Sequence, residues 1–245
     1  MIRIGTAGWS IPRDVAGQFT GEGSHLARYA RVMTCAEISS SFYRTHSRET
    51  YARWAAQAPQ NFRFSVKLPQ MITHENALRS SRAPLVAFLA QIAGLGAKLG
   101  PLLVQLPPSL PLERRVARKF FATLRAEHRG DVVCEPRHAT WFTSSASELM
   151  RELRIHRLAA DPSPHPASRE PAGQLTEALY YRLHGSPRKY WSAYSTHYLD
   201  ALASELRRMP AAQEGWCIFD NTASGAAAAN ALQLLDRLTR ATSKI

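Results

Sequence analysis

Glu135, Arg137 and His138 crowd the end of Val132-Val133-Cys134, a β-branched run of the kind that fills a buried strand. Charged groups at such a position are costly to desolvate unless a site uses them. Other strand-like runs end in the same manner, in Glu37, Lys67, Gln105, Asp161, Arg182 with His184, and Asp220 with Asn221. Brought together at one end of one sheet, they supply anions (Glu37, Glu135, Asp161) and cations (Lys67, Arg137, Arg182). His74, His138 and His184 add imidazoles that exchange protons near neutral pH. Opposed charges in such a set shift each other's pKa values, as catalytic groups require. The chemistry this predicts is general acid–base catalysis, hydrolysis first. Glu135 or Glu37 would be the base and His184 or His138 the acid, with Arg137, Arg182 and Lys67 neutralising developing negative charge. The plain alternative is a buried ion-pair network that only closes the end of the fold.

Three further groups bear on binding. Asp220-Asn221-Thr222-Ala223-Ser224-Gly225 leads from the last strand into an alanine-rich helix. Open backbone N–H groups at a helix start favour phosphate, whereas ordinary capping by Ser224 explains the same residues. Trp9, Tyr43, Trp141, Tyr190, Trp191 and Tyr194 fall in or beside loops after strands, where rings stack on sugars or bases, or simply pack. Of these, Tyr190 and Trp191 beside Arg188 and Lys189 are the best candidates for an exposed site. Arg44, His74 and Gln105 complete the substrate-binding set, with Trp9, Tyr43, Trp141, Asp220, Asn221, Ser224 and Gly225. Glu37, Glu135, Asp161, His184 and Asp220 are also of the types that ligate a divalent metal. No H-x-H or H-E-x-x-H spacing accompanies them, and Lys67 and Arg182 compete for the carboxylates. The expectation is therefore no cofactor and no tight metal.

The elements that must position these residues are strands alternating with helices. Strand-like runs cover 2–9, 35–40, 62–68, 102–106, 131–136, 156–160, 178–183 and 216–219. Most are continuous apolar runs, which suits parallel strands covered on both faces. Helical patterns lie between most of them: Ser24 and Ser47 can N-cap the first two, Pro84 suits the first turn of the third, and Ser145 with Glu148 reads as a capping box. Strand–helix alternation over 245 residues predicts an α/β protein with a single (β/α)8 TIM-like barrel, one domain over residues 1–245. The segment 161–176, with Pro162, Pro164, Pro166 and Pro171, has no helical period and reads as a loop on the active-site face.

Composition bounds the partners. At 45% hydrophobic and 20% charged the chain is ordinary globular material. No apolar run approaches the ~18–20 residues of a membrane span. Met1-Ile2-Arg3-Ile4-Gly5 enters a strand directly without a signal-peptide pattern, which predicts a cytoplasmic protein with no membrane partner. Cys35, Cys134 and Cys217 lie within strand runs and read as small buried hydrophobes. The net charge of +12 invites an anionic partner. Lysine is confined to Lys67, Lys98, Lys119, Lys189 and Lys244, so the charge is mostly scattered arginine. The expected partner is a small anionic or sugar-like substrate, with nucleic acid the alternative.

Several motifs together resemble a known family. Gly5-Thr6-Ala7-Gly8-Trp9 resembles its G-T-S-G-W start, and Glu37-Ile38-Ser39-Ser40-Ser41-Phe42-Tyr43-Arg44 its E-I-N-S-T-F-Y-R. Phe64-Ser65-Val66-Lys67 with Ile72-Thr73-His74, and Gly100-Pro101-Leu102-Leu103-Val104-Gln105-Leu106-Pro107-Pro108, match further motifs. Glu135-x-Arg137-His138 with Trp141, then Tyr181-Arg182-Leu183-His184-Gly185, complete the set. In order and over nearly the whole chain these resemble the domain-of-unknown-function family 72, the YecE-like proteins. The resemblance implies a TIM-barrel-like fold and no particular reaction. Two departures stand out: Ser39 where the family favours Asn, and Asp220-Asn221 where it often has two asparagines. At the level of fold analogy alone, related endonuclease IV-like and xylose-isomerase-like barrels keep a metal-dependent nuclease or isomerase as a further alternative.

Overall fold

A computed structural model describes residues 1–166, 178–210 and 212–242. Strands and helices alternate: β1 (Ile2–Ala7), α1 (His25–Val32), β2 (Cys35–Ile38), α2 (Arg48–Gln57), β3 (Arg63–Lys67), α3 (Arg82–Ile92), β4 (Leu99–Gln105) and α4 (Arg114–Glu127). They continue through β5 (Val132–Glu135), α5 (Ser144–Glu152), β6 (His156–Arg157), β7 (Ala159–Asp161), β8 (Ala178–Leu183), α6 (Thr196–Arg207), β9 (Glu214–Phe219) and α7 (Ala226–Thr242). All pairings are parallel, in the order β6-β5-β4-β3-β2-β1-β9-β8-β7. The sheet is thus a nearly closed TIM-type barrel.

The predicted strand over 156–160 is divided. β6 pairs only with β5, and β7 only with β8, so the chain changes neighbours at Leu158. Leu158 itself still donates its N–H to the Cys134 carbonyl at 3.0 Å. The two edges of the sheet are therefore consecutive pieces of one run, and the barrel closes through them. Of the proline-rich segment 161–176, the residues from 167 onward lie outside the described residues.

Helix starts follow side-chain capping. Ser24, Ser47 and Ser195 each accept from the backbone N–H three residues on. The capping box at Ser145 is not what forms. Thr143 takes the cap by accepting from the Ala146 N–H, so the helix begins one residue before Ser145. Ser145 Oγ instead receives a hydrogen bond from Arg114 at 2.6 Å.

Period two along the strands sorts two cores. One set of positions (Ala36, Phe64, Val66, Val104, Cys134, Cys217, Phe219) packs with the helices. The alternate set (Cys35, Leu103, Val133, Leu158, Ala160, Tyr180, Trp216, Ile218) forms a separate cluster that fills the lumen. Two residues further along the same inward rows come the polar side chains of Glu37, Gln105, Glu135, Arg182 and Asp220, with Lys67 two beyond Ser65. An apolar plug thus underlies a polar layer at the C-terminal end. Cys35, Cys134 and Cys217 are buried free thiols within β2, β5 and β9. No helix among the described residues is long and apolar enough to cross a membrane.

Closure needs β1 and β2 to approach tightly. A Cβ on Gly5 would stand 2.0 Å from the Cys35 carbonyl oxygen, which is backbone and cannot step aside cheaply. Gly5→Ala is expected to cost ~1–3 kcal/mol by overpacking. Urea unfolding checks this, and an unchanged midpoint would refute the close approach.

Candidate active site at the C-terminal mouth

The polar layer is organised by Arg182, whose side chain is 2% exposed. Its Nε and Nη2 donate to Glu37 Oε2 and Oε1 at 3.0 and 2.9 Å, a bidentate fork. Nη1 donates to Glu135 Oε2 at 3.0 Å, and Nη2 also lies 3.0 Å from Asp220 Oδ2. β8 neighbours neither β2 nor β5 in the sheet, so these bonds cross the lumen.

Each carboxylate takes further partners. Glu37 also accepts from Ser39 Oγ at 2.5 Å and from the Tyr180 hydroxyl at 3.0 Å, which in turn sits 2.9 Å from Ser65 Oγ. Glu135 Oε1 accepts from Arg137 Nε at 2.9 Å and Gln105 Nε2 at 3.3 Å, and faces His184 Nε2 at 3.1 Å. The other ring nitrogen of His184 lies 2.9 Å from Asp220 Oδ2. Burial alone would raise the Glu135 carboxyl, but His184, Arg182 and Arg137 together hold it well below the ordinary range. Asp220 is likewise lowered: burial opposes, and Arg182 and His184 prevail. Asp220, where the family pattern often has Asn, thus adds a charge directly against Arg182.

Three cations and an imidazole border this layer. Arg137 links Glu135 to the Tyr190 hydroxyl at 3.0 Å. Lys67 ends β3 and carries its Nζ 3.8 Å from the centroid of the Phe42 ring. Burial, then the neighbouring Arg182, push the Lys67 amine down to about 8 against the pull of Glu37, Glu135 and Asp220. His74 sits on a short π-turn, Met71–Glu75, with its ring edge-on to the same Phe42 at 4.8 Å. Its pKa is lowered by burial and by Lys67 and Arg137, so the imidazole is neutral near pH 7. Lys189 is also lowered, by burial and then by Arg137.

The structure thus brings together Glu37, Lys67, His74, Gln105, Glu135, Arg137, Arg182, His184 and Asp220. It places the remaining predicted residues elsewhere. Asp161 Oδ1 accepts from the Tyr194 hydroxyl at 2.9 Å, on the opposite face of its strand from Ala160. His138 Nδ1 caps the turn Ala139–Phe142, accepting from the Thr140 N–H at 3.3 Å. Trp141 is a core residue whose Nε1 donates to the Leu110 carbonyl at 2.9 Å. Trp9 packs edge-on to Trp54 at 5.1 Å. Tyr43 and Arg44 are exposed beyond Phe42. Asn221 is buried, and its Nδ2 braces the Ser192 carbonyl at 2.9 Å and Asn230 Oδ1 at 3.0 Å.

The phosphate cradle read at Ser224-Gly225 is internally satisfied. The N–H of Ala223 donates to Tyr190 O, that of Gly225 to Thr222 O, that of Ala226 to Ser224 Oγ and that of Ala227 to Asn221 O. Metal ligation by the carboxylates fits poorly too. The Arg182 guanidinium stands among Glu37, Glu135 and Asp220, and Asp161 is remote from them. No group of three His, Cys, Asp or Glu among the described residues is disposed to hold a metal. Tyr180 and Ser65 belong to the network although the ends of the strands did not reveal them. Both lie two residues before a recognised inward group, Arg182 and Lys67, and that alternation is the signal that locates them.

The family profile described as "Protein of unknown function DUF72" matches residues 3–245. The chain is 31% identical over 184 residues to the UPF0759 protein YecE of Escherichia coli strain K12, covering 73% of this chain and 65% of that protein. The corresponding protein of Escherichia coli O157:H7 is matched over 56% of its length, so the chain spans less than two thirds of these relatives. The UPF0759 protein YunF of Bacillus subtilis strain 168 is 24% identical over 97% of the chain and 95% of its own length. Among solved structures, a DUF72 family protein of Thermotoga maritima superposes with TM-score 0.80 at 24% identity, covering 98% of this chain and 99% of that one. The more distant SacUVDE superposes with TM-score 0.57 at 11% identity over 86% of this chain and 81% of its own.

Breaking the buried network has a defined cost. Glu135→Gln removes a carboxylate but leaves Arg182 and Arg137 buried beside it, an expected loss of about 3–5 kcal/mol. In the unfolded chain Glu135 and Asp220 titrate at ordinary values of about 4, and in the folded chain lower. The network's contribution is therefore complete above that range and drains as pH falls below it. Urea titrations at neutral pH and through the acid limb check both. Unchanged stability in the variant at both would show that the network holds nothing.

Proposed function

The chain belongs to the DUF72 family of proteins of unknown function, and from that premise we propose that it is an enzyme acting on a small phosphate-bearing or sugar-like substrate at the C-terminal mouth of its barrel. The observation that carries this reading is the division of charge with depth. Glu37 and Glu135 are paired with Arg182, Arg137 and His184, while Lys67 and Arg137 act on a neutral His74 and Lys189 stands within the field of Arg137. An anionic group is the complement of such a rim.

The same division reassigns the catalytic roles. Each oxygen of Glu135 and Glu37 already faces a cation or a donor, which lowers its basicity. His184 has both nitrogens against carboxylates, and His138 is a turn cap. Proton transfer therefore falls to Lys67, whose amine is pushed down to about 8, and to His74, whose imidazole is lowered and so is available as a base. Arg137 and Lys189 neutralise charge that develops on the substrate. Hydrolysis remains the reaction class, with water activated by one of these bases.

Inorganic phosphate is the simplest probe. Calorimetric titration should show saturable binding, accompanied by a shift of the His74 ring signals in NMR. Lys67→Met should weaken binding about tenfold, which is ~1.4 kcal/mol. Affinity should fall as pH rises through about 8, where Lys67 loses its charge. Phosphate binding that is absent, or indifferent to the Lys67→Met substitution, would sink the reading.

A second reading has its own observation. Tyr190 and Trp191 are exposed, and Arg188 lies over the Trp191 ring at 4.6 Å on a chain of net charge +12. That is a stacking platform for a nucleic-acid strand. It requires oligonucleotide affinity that falls linearly with log salt and drops in Trp191→Ala. No binding at low ionic strength removes it.

A further inference from the structure

Lys67 is the inward-facing polar side chain of this layer that the network leaves out. Its backbone carbonyl accepts from Ser41 Oγ at 2.6 Å, but no described residue forms a hydrogen bond or ion pair with its Nζ. The carboxylates near it are all committed elsewhere: Glu37 to Arg182, Tyr180 and Ser39; Glu135 to Arg182, Arg137, Gln105 and His184; Asp220 to Arg182 and His184. The guanidinium of Arg182 approaches from β8, the Phe42 ring covers the amine from the turn after β2, and His74 shares that ring from the π-turn after β3. A side chain only 7% exposed is held in this position with no direct ion-pair partner among the described residues. Such an environment favours the neutral, nucleophilic amine.

We propose that Lys67 is a nucleophilic amine that forms an imine with the carbonyl carbon of an open-chain aldehyde or ketone bearing a phosphate. This deepens the reading of the mouth as a substrate site and rests on it, because the rim cations Arg137 and Lys189 would hold the phosphate. In the first step the lone pair of Nζ attacks the carbonyl carbon. The C–N bond forms, the carbonyl π pair moves to oxygen, and that oxygen takes up one of the two amine protons, relayed by the His74 imidazole. In the second the carbinolamine hydroxyl leaves as water while nitrogen gives up a proton and forms the C=N bond. One amine and one carbonyl thus give one imine and one water, with no change of oxidation state. The neutral imidazole of His74 can accept the proton from nitrogen and return it to the departing hydroxyl.

Reductive trapping tests this on the full-length protein. The protein is incubated near neutral pH with glycolaldehyde phosphate and cyanoborohydride, then digested and mapped by mass spectrometry. Near neutral pH an amine near pKa 8 holds about two hundredfold more neutral form than an ordinary lysine. The adduct should therefore concentrate on Lys67 over Lys98, Lys119, Lys189 and Lys244, be suppressed by excess inorganic phosphate, and vanish in Lys67→Met. Labelling spread over the other lysines, or confined to Lys189, overturns the proposal. If calorimetry shows phosphate binding but Lys67 is not trapped, the imine falls and the anion site stands. If Lys67 is trapped regardless of phosphate, the imine stands and its anchoring by the rim falls.

Discussion

The guanidinium of Arg182 is the interaction on which the barrel's upper half depends. It sits among three carboxylates delivered by β2, β5 and the turn after β9, and each of its nitrogens meets one or more of them. A lysine ammonium could carry the charge but not span these partners at once, since the planar fork meets Glu37 with two parallel bonds while a third nitrogen faces Glu135. Desolvating four charges is expensive, and pairing them mainly cancels that expense without adding net stability. Specificity is what the arrangement secures. Strands distant in sequence have one mutual placement in which the charges all find partners.

From this follows the chemistry left at the surface. Arg182, Arg137 and His184 engage the carboxylates that are most conspicuous in the sequence. Two groups stand outside that network: Lys67, whose amine is lowered by burial and then by Arg182, and His74, whose Nδ1 meets Thr73 Oγ1 at 2.8 Å and whose imidazole is lowered by burial and then by Lys67 and Arg137. The apolar plug below supplies the low-dielectric floor that makes both effects large.

Much of this was legible in the sequence. The apolar runs marked the strands because parallel strands are covered on both faces, and polar residues at their ends marked the mouth. What the strand ends alone could not show was which way each side chain points. Glu37, Lys67, Gln105, Glu135, Arg182, His184 and Asp220 share the inward parity of the lumen residues before them. Asp161 follows Ala160, an inward residue, and so faces out towards Tyr194. Counting by twos from the plug would have excluded Asp161 and included Tyr180 and Ser65. The loop residues were less legible still. His138 and Trp141 obey local demands, a cap for a short turn and a filler under the Leu110 carbonyl, that no periodicity reveals. Ser224-Gly225 had the composition of an anion cradle, yet the neighbouring loop at Tyr190 and the turn's own carbonyls reached its N–H groups.

The plug also seals the charged layer from below: the packed rings of Tyr180 and Trp216 lie under it, and Arg137 with Tyr190 lies beyond it. A ligand of the proposed kind, seated at the mouth, would act as a stopper. By displacing the solvent that screens the rim it strengthens the charge pairs beneath it, and those pairs in turn hold more firmly the residues that grip the ligand. Occupancy and rigidity of the upper barrel become two readings of one electrostatic quantity.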